Sequence, residues 1–262
     1  LHLTPANRDA VAHQITATAL AGLPEARAGD DPAALIAPAM PAGRPAPGDV
    51  LVVAHKLISK AEGRTRALSE IVATERAHEL GRLLGKDPRH VQAVLDETRE
   101  VRRAQNGVLI AVTHHGFVCA NAGVDASNAP DEDTLILLPR DPDASARRLR
   151  AGLRRLHGAA PAVLITDSFG RAWRNGQCDV AIGCAGLRPL EDWRGRRDAR
   201  GRELRATQVA VADELAAAAD LARTKDGMAP AILIGGAERH VTEEDGSGIG
   251  ELLRDAAQDL FR

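Results

Sequence analysis

The chain has 262 residues, a formal net charge of −2, and 44% hydrophobic against 27% charged residues, which suits one large globular domain or two small ones. The near-neutral charge excludes a general bias toward nucleic acid or anionic lipid, and 2% aromatics with no Tyr argue against base-stacking platforms. No apolar run approaches the ~20 residues of a membrane span, and three cysteines without a CxxC pair point away from a zinc knuckle or disulfide scaffold and toward a reducing cytoplasm.

Residues 8–21 read as weakly helical, and GLPEARAGDD at 22–31 as a turn-rich loop. A short helix follows, with Pro32 near its start. PAGRPAPGD at 41–49 links to a β-rich strand predicted over 50–58. Lys56 and Lys60 fall near the end of that strand, where a lysine is either a solvated edge guard or a phosphate binder. Two helices are predicted over 65–84 and 88–104, split at GKDPRH; the second is strongly charged. Strands at 108–112 and 117–120 flank a turn at His114, His115 and Gly116. ANAGVDASN at 120–128 is a loop of short oxygen-bearing side chains, able to present ligands to a hard cation and equally able to form ordinary Asx-turns.

A strand at 135–139 precedes an Asp-Pro-capped helix whose arginines are expected outward. PAVLITDSFGRAWRNGQCD at 161–179 organises the chain. Its apolar run 162–165 reads as a buried strand ending near Thr166, Asp167 and Ser168. Ligands sit beyond the carboxyl ends of such strands. An acid and a hydroxyl there, followed by Arg171, Arg174, Asn175 and Gln177, suit an anionic ligand with a hard metal ion; a polar turn with solvated arginines fits the same residues. A further strand at 180–187, a strong helix over 207–225, a last strand AILIGG and a helical tail complete the pattern. GSGIG at 246–250 lacks the Gly-Lys-Ser/Thr ending of a phosphate loop and follows an acidic segment rather than a strand, so it is rejected as one. The cysteines Cys119, Cys178 and Cys184 read as small apolar residues rather than nucleophiles.

The blocks VVAHKLISKAEGR, THHGFVCANAGVDASN, LPRDPDASARRLR, ITDSFGRAWRNGQCDVAIGCAGLRPL and RATQVAVADELAAAADL, in that order, resemble the coenzyme F420-0:gamma-glutamyl ligase family over nearly the whole chain. The resemblance implies a mixed α/β (α+β) fold forming an interlocked homodimer, with 1–262 as a single ligase unit of one or two lobes. With nothing after Arg262, the stand-alone form without an appended flavin-type domain is expected. It further implies a cytoplasmic ligase that joins L-glutamate to coenzyme F420-0 through gamma-linked amides. GTP is the implied co-substrate, with two divalent cations, Mn or Mg, and monovalent K. The implied partners are F420-0 and glutamate, with no nucleic acid or membrane.

Carried over residue by residue, the resemblance makes Asp125 and Asp167 the metal carboxylates and catalytic groups, with Ser168 beside them where the family often has Thr. Lys60 resembles the phosphate lysine, and Asn128 a nucleotide contact. Leu23, Pro24, Glu25 and Ala26 match the guanine-nucleotide loop. His55 stands where many members carry a small polar residue, and the loop 223–229, with Lys225, is expected to close over the nucleotide. Arg171 and Arg174 are assigned from charge and position to the acidic tail of the deazaflavin. A related amide ligase with another carboxylate acceptor, and a non-catalytic paralogue, are the alternative readings.

Overall fold

The computed structural model describes residues 13–224, 227 and 229–259. In chain order come β1 (Thr16–Ala19), α1 (Pro32–Ile36), β2 (Val50–Ala54), α2 (His55–Ala61), β3 (Thr65–Ala67), α3 (Glu75–Leu84) and α4 (Pro88–Asp96). β4 (Thr98–Gln105), β5 (Val108–Thr113), β6 (Val118–Ala120), β7 (Thr134–Ile136) and α5 (Pro142–His157) follow. The last part holds β8 (Ala162–Arg171), β9 (Arg174–Ala185), β10 (Glu191–Asp192), β11 (Gln208–Val209), α6 (Val211–Ala222) and β12 (Ala231–Gly235).

The architecture is mixed α/β. Its main sheet has the order β1-β12-β2-β8-β9. Among the described strands only β2 and β8 run parallel, with Val50 opposite Ala162 and Ala54 opposite Thr166. Val50 to Val53 are fully buried, as expected of a strand covered on both faces, which reads as a continuous apolar run. Each such side chain contributes about 1.5–3 kcal/mol by leaving water.

Helices α5 and α6 pack on this sheet. Asp141 caps α5 through the Ala144 N–H, Pro142 occupies its first turn, and Gly158 ends it in the left-handed region. The packing is close: a Cβ on Gly152 would meet the Ala33 methyl of α1 at 2.5 Å, and one on Gly183 would meet Pro142 at the same distance.

A second apolar cluster joins α3, α4, β5 and β7 through Leu80, Leu84, Val91, Val94, Leu109 and Leu135. It backs a three-stranded antiparallel sheet, β4-β5-β6. Among the described residues no helix is long and apolar enough to cross a membrane.

Several sequence expectations need correction. Within the expected helix at 8–21, the described part holds no helix and carries the edge strand β1, paired antiparallel with β12; residues 1–12 lie outside the described residues. The strand expected over 50–58 stops at Ala54, and HKLISKA forms α2. An unbroken apolar run does not separate buried strand from buried helix, and the helix-forming Lys, Leu and Ala decide it here.

The helix expected over 65–84 begins only at Glu75, with Thr74 capping it. That expected over 88–104 ends at Asp96. The charged TREVRRAQ is β4, held by pairing with β5 across two register shifts, so tertiary pairing overrides local pattern. The strand expected over 162–165 runs on to Arg171 and returns as β9. Arg150 of α5 points inward and is buried. The described tail has only short 3-10 turns at Ile249–Leu252 and Ala256–Gln258.

Candidate functional site

The parallel pair β2 and β8 ends where the polar residues begin. Beyond that end lies a cavity of about 810 Å³, the position where α/β sheets place ligands. Its lining brings together Leu23, Pro24, Glu25 and Ala26, then His55 and Lys60 of α2, Asp125 and Asn128, and Asp167 and Ser168 of β8. A smaller cavity of about 260 Å³, near Arg188, Thr242 and Ser247, holds none of these residues.

Each wall has a local cause. On β8 the alternation of the strand sends Thr166 and Ser168 toward Asp179 of β9, while Asp167 turns toward His55. Asp179 is buried and accepts from the Thr166 hydroxyl at 2.9 Å and the Ser168 hydroxyl at 2.6 Å. It also accepts from Arg223 Nη1 at 2.6 Å. Three donors around one buried carboxylate satisfy the requirement that buried charge be paired.

His55 is buried, with Nδ1 3.2 Å from the Ser59 hydroxyl and Nε2 3.4 Å from Asp167 Oδ1. One turn later, Lys60 pairs with Glu25, tying α2 to the loop 23–26.

Asp125 is delivered by a strained turn. Asn121, Ala122 and Gly123 all take positive φ, at 51°, 51° and 72°, and Ala122 there costs about 1–2 kcal/mol. Gly123 is required twice over, because a Cβ would also meet Leu138 at 2.7 Å. The Asp125 backbone is then fixed to Ile136 by a reciprocal pair of hydrogen bonds at 3.0 and 2.8 Å. Its carboxylate accepts from Lys56 Nζ at 2.6 Å and from the Ser127 hydroxyl at 2.6 Å. Burial pushes the Asp125 pKa up, but the bonds from Lys56 and Ser127 outweigh it and the net shift is downward. The group is anionic across the physiological range.

Arg171 and Arg174 face each other across the exposed end of the β8–β9 hairpin, where Arg171 donates to the Asn175 carbonyl at 2.8 Å. They are not among the cavity's lining residues. Lys225 lies outside the described residues. Its neighbours Arg223, Thr224 and Ala229 do line the cavity, and Arg223 Nε donates to the Ala229 carbonyl at 3.3 Å.

Sequence reasoning missed Asp179, although it stands within the organising stretch. The available signal was the hairpin: once β8 folds back on β9, Asp179 falls directly opposite Ser168. Thr166 was named only as part of a strand end, and Arg223 only as the start of the loop 223–229.

The donor set suits a hard cation. Asp125, Asp167 and the Ser127 and Ser168 hydroxyls offer only oxygen, the ligand type of Mg, Mn and Ca rather than of soft ions. Among the described residues no group of three or more His, Cys, Asp or Glu is placed to hold an ion. An ion here would therefore take part of its shell from other oxygens, as Mg commonly does from water and phosphate.

A family model described as F420-0:Gamma-glutamyl ligase matches residues 22–236. A protein of Methanothermobacter thermautotrophicus named coenzyme F420:L-glutamate ligase is 44% identical over 92% of this chain and 96% of its own length. Proteins of the same name from Haloarcula marismortui and Methanopyrus kandleri are 42% and 43% identical. These alignments cover 93% and 90% of this chain and 94% and 93% of the relatives.

Proposed function

This chain belongs to the F420-0:gamma-glutamyl ligase family, and from that premise we propose that it joins L-glutamate to coenzyme F420-0 through gamma-glutamyl amide bonds, at the expense of GTP. One observation carries the reading. The segments that supply Glu25, Lys60, Asp125, Asn128 and Asp167 are far apart in the chain, yet all five residues open onto a single cavity. That cavity is of the size that takes a small-molecule ligand.

An amide forms from a carboxylate only after the acyl group is activated. In the proposed sequence an acceptor carboxylate oxygen attacks the γ-phosphorus of GTP, the bond to the GDP oxygen breaks, and an acyl phosphate results. The glutamate amine then attacks the acyl carbon, inorganic phosphate leaves with the bonding electron pair, and the amine gives up a proton. No nucleophilic side chain is needed, so the protein's task is positioning and charge neutralisation.

Lys60, fixed by Glu25, would face the phosphates, and Asn128 with the loop 23–26 would hold the nucleotide. Two divalent cations, Mn or Mg, would be held by Asp125 on one wall and by Asp167 on the other, with Ser168 joining once its hydroxyl leaves Asp179, and would supply electrostatic relief to the terminal phosphate. Monovalent K and the interlocked homodimer belong to the same proposal.

The test uses purified protein with F420-0, L-glutamate, Mg or Mn, and either GTP or ATP. The expected product is F420-0 heavier by one or more glutamyl residues, with GDP and phosphate released in equal amounts. Absence of any GTP-dependent product from F420-0 would contradict the proposal. Product from a different carboxylate acceptor would favour a related amide ligase.

A further inference from the structure

Lys56 holds an unusual place in the cavity. Its Nζ donates to three oxygens of one short turn: Asp125 Oδ2 at 2.6 Å, the Ser127 hydroxyl at 2.6 Å and the Ser127 carbonyl at 3.0 Å. A carboxylate, a hydroxyl and a carbonyl are together the donors that a small hard cation takes from a loop.

The turn is shaped for this independently of the lysine. The Ser127 N–H donates to Asp125 Oδ1 at 2.8 Å, and the Ser127 hydroxyl to Asp125 Oδ2 at 2.6 Å. Lys56 approaches from the first turn of α2, one turn before Lys60, so both ammoniums leave the same face of that helix. They meet different acids: Lys60 meets Glu25 and Lys56 meets Asp125. The Lys56 side chain is 20% exposed and that of Asp125 43%, so the pair can open without unfolding anything around it.

Resting on the reading of Asp125 as a cation ligand, we propose that Lys56 is an internal counter-ion, occupying the oxygen cradle of Asp125 and Ser127 until a divalent ion displaces it. The freed ammonium then pairs with the phosphate oxygens of the nucleotide in the same cavity.

Two consequences follow from linkage. The ion must compete with Lys56, so it binds weakly in the absence of nucleotide. A nucleotide gives the displaced ammonium a new partner, so ion and nucleotide strengthen each other through one side chain, and by the same factor in both directions. A fixed ion pair that merely props the turn open has the opposite signature, because removing it would loosen the cradle and weaken the ion.

Calorimetric titration of the full chain with MnCl2, with and without GDP, separates the two. Lys56→Met should bind Mn alone roughly three- to tenfold more tightly than the unaltered chain, the scale of a partly exposed charge-assisted bond. The factor by which GDP strengthens Mn binding should shrink to match. Lys56→Arg, which keeps the charge, should follow the unaltered chain, and Lys56→Gln should follow the Met variant. Unchanged or weaker Mn binding in both Lys56→Met and Lys56→Gln, with Tm preserved, would overturn the proposal. Asp125→Asn supplies the separate control. If it binds Mn as well as the unaltered chain, or if no form binds Mn, the Asp125 ligand reading itself falls and the role of Lys56 falls with it.

Discussion

The buried imidazole of His55 stands 3.4 Å from Asp167 Oδ1, with its other ring nitrogen 3.2 Å from the Ser59 hydroxyl. Ser59 lies one turn further along α2, so the helix fixes the ring and the ring faces the acid of β8. Under the ligand role proposed for Asp167, a group packed beside that carboxylate matters nearly as much as the ligand itself. His55→Phe keeps an aromatic ring of similar bulk and removes both contacts. It should lower turnover or Mn affinity by about 10–100-fold, with the circular dichroism of the folded chain preserved. Steady-state kinetics across a range of Mn concentrations will separate the two effects.

Arg150 tests the frame rather than the site. It is buried on α5 and donates to the carbonyls of Pro161, Thr242 and Glu243 and to the Asp245 carboxylate, at 2.7–3.2 Å. Arg150→Met leaves these acceptors without their donor and should cost about 2–5 kcal/mol of unfolding free energy, read from urea denaturation. Activity per folded molecule should be unchanged, since Arg150 does not line the large cavity.

The cysteines give a chemical test of burial. Burial, with the Asp167 charge adding to it, pushes the Cys119 thiol up to about 12; burial, with Asp143, does the same for Cys184. At pH 8 such thiols are ionised to about one part in ten thousand, and the thiolate is the reactive form. Only Cys178 is partly exposed. The native chain should therefore react at Cys178 alone with an aromatic disulfide reagent, and Cys178→Ser should abolish the fast reaction. Rapid labelling of Cys119 or Cys184 in the folded protein would contradict their placement.

Asp143 gives a pH dependence of known sign. Burial raises its pKa above the ordinary 3.8 despite bonds from the Cys184 and Ile249 N–H groups. A raised folded value means that ionised Asp143 costs stability at neutral pH. That cost disappears as pH falls through the raised value toward 3.8. Against Asp143→Asn, the unaltered chain should gain relative stability as pH drops from 7 toward 4, measured by thermal unfolding of both.

The sequence made the apolar backbone of the fold legible and left much of its polar part obscure. Val50 to Val53 and Ala162 to Ile165 declared themselves because strands buried on both faces tolerate little else. The remainder of the β8–β9 hairpin did not. Phe169, Gly170 and Arg171 are held by pairing with Cys178, Gln177 and Arg174, which composition does not reveal, and Asp179 was hidden with them. β4 was misread for a related reason, since TREVRRAQ is as charged as a solvated helix and is extended only because β5 lies beside it.

At the site, residue types and blocks pointed to Asp125, Asp167 and Lys60. The contacts Lys56–Asp125 and Lys60–Glu25 join segments far apart in the chain, and no local pattern encodes them. Family resemblance named residues without saying which of them touch.

In the proposed function two acids, one on a strained turn and one on a central strand, hold cations against a nucleotide's terminal phosphate. The direct measurement is the rate of GTP-dependent glutamate addition to F420-0 by the unaltered chain and by Asp167→Asn, with matched unfolding curves for both. Losing one preorganised electrostatic contact of this kind should slow the reaction by at least about 10²–10³-fold while the fold persists. A folded Asp167→Asn that adds glutamate at a near-normal rate would contradict the account.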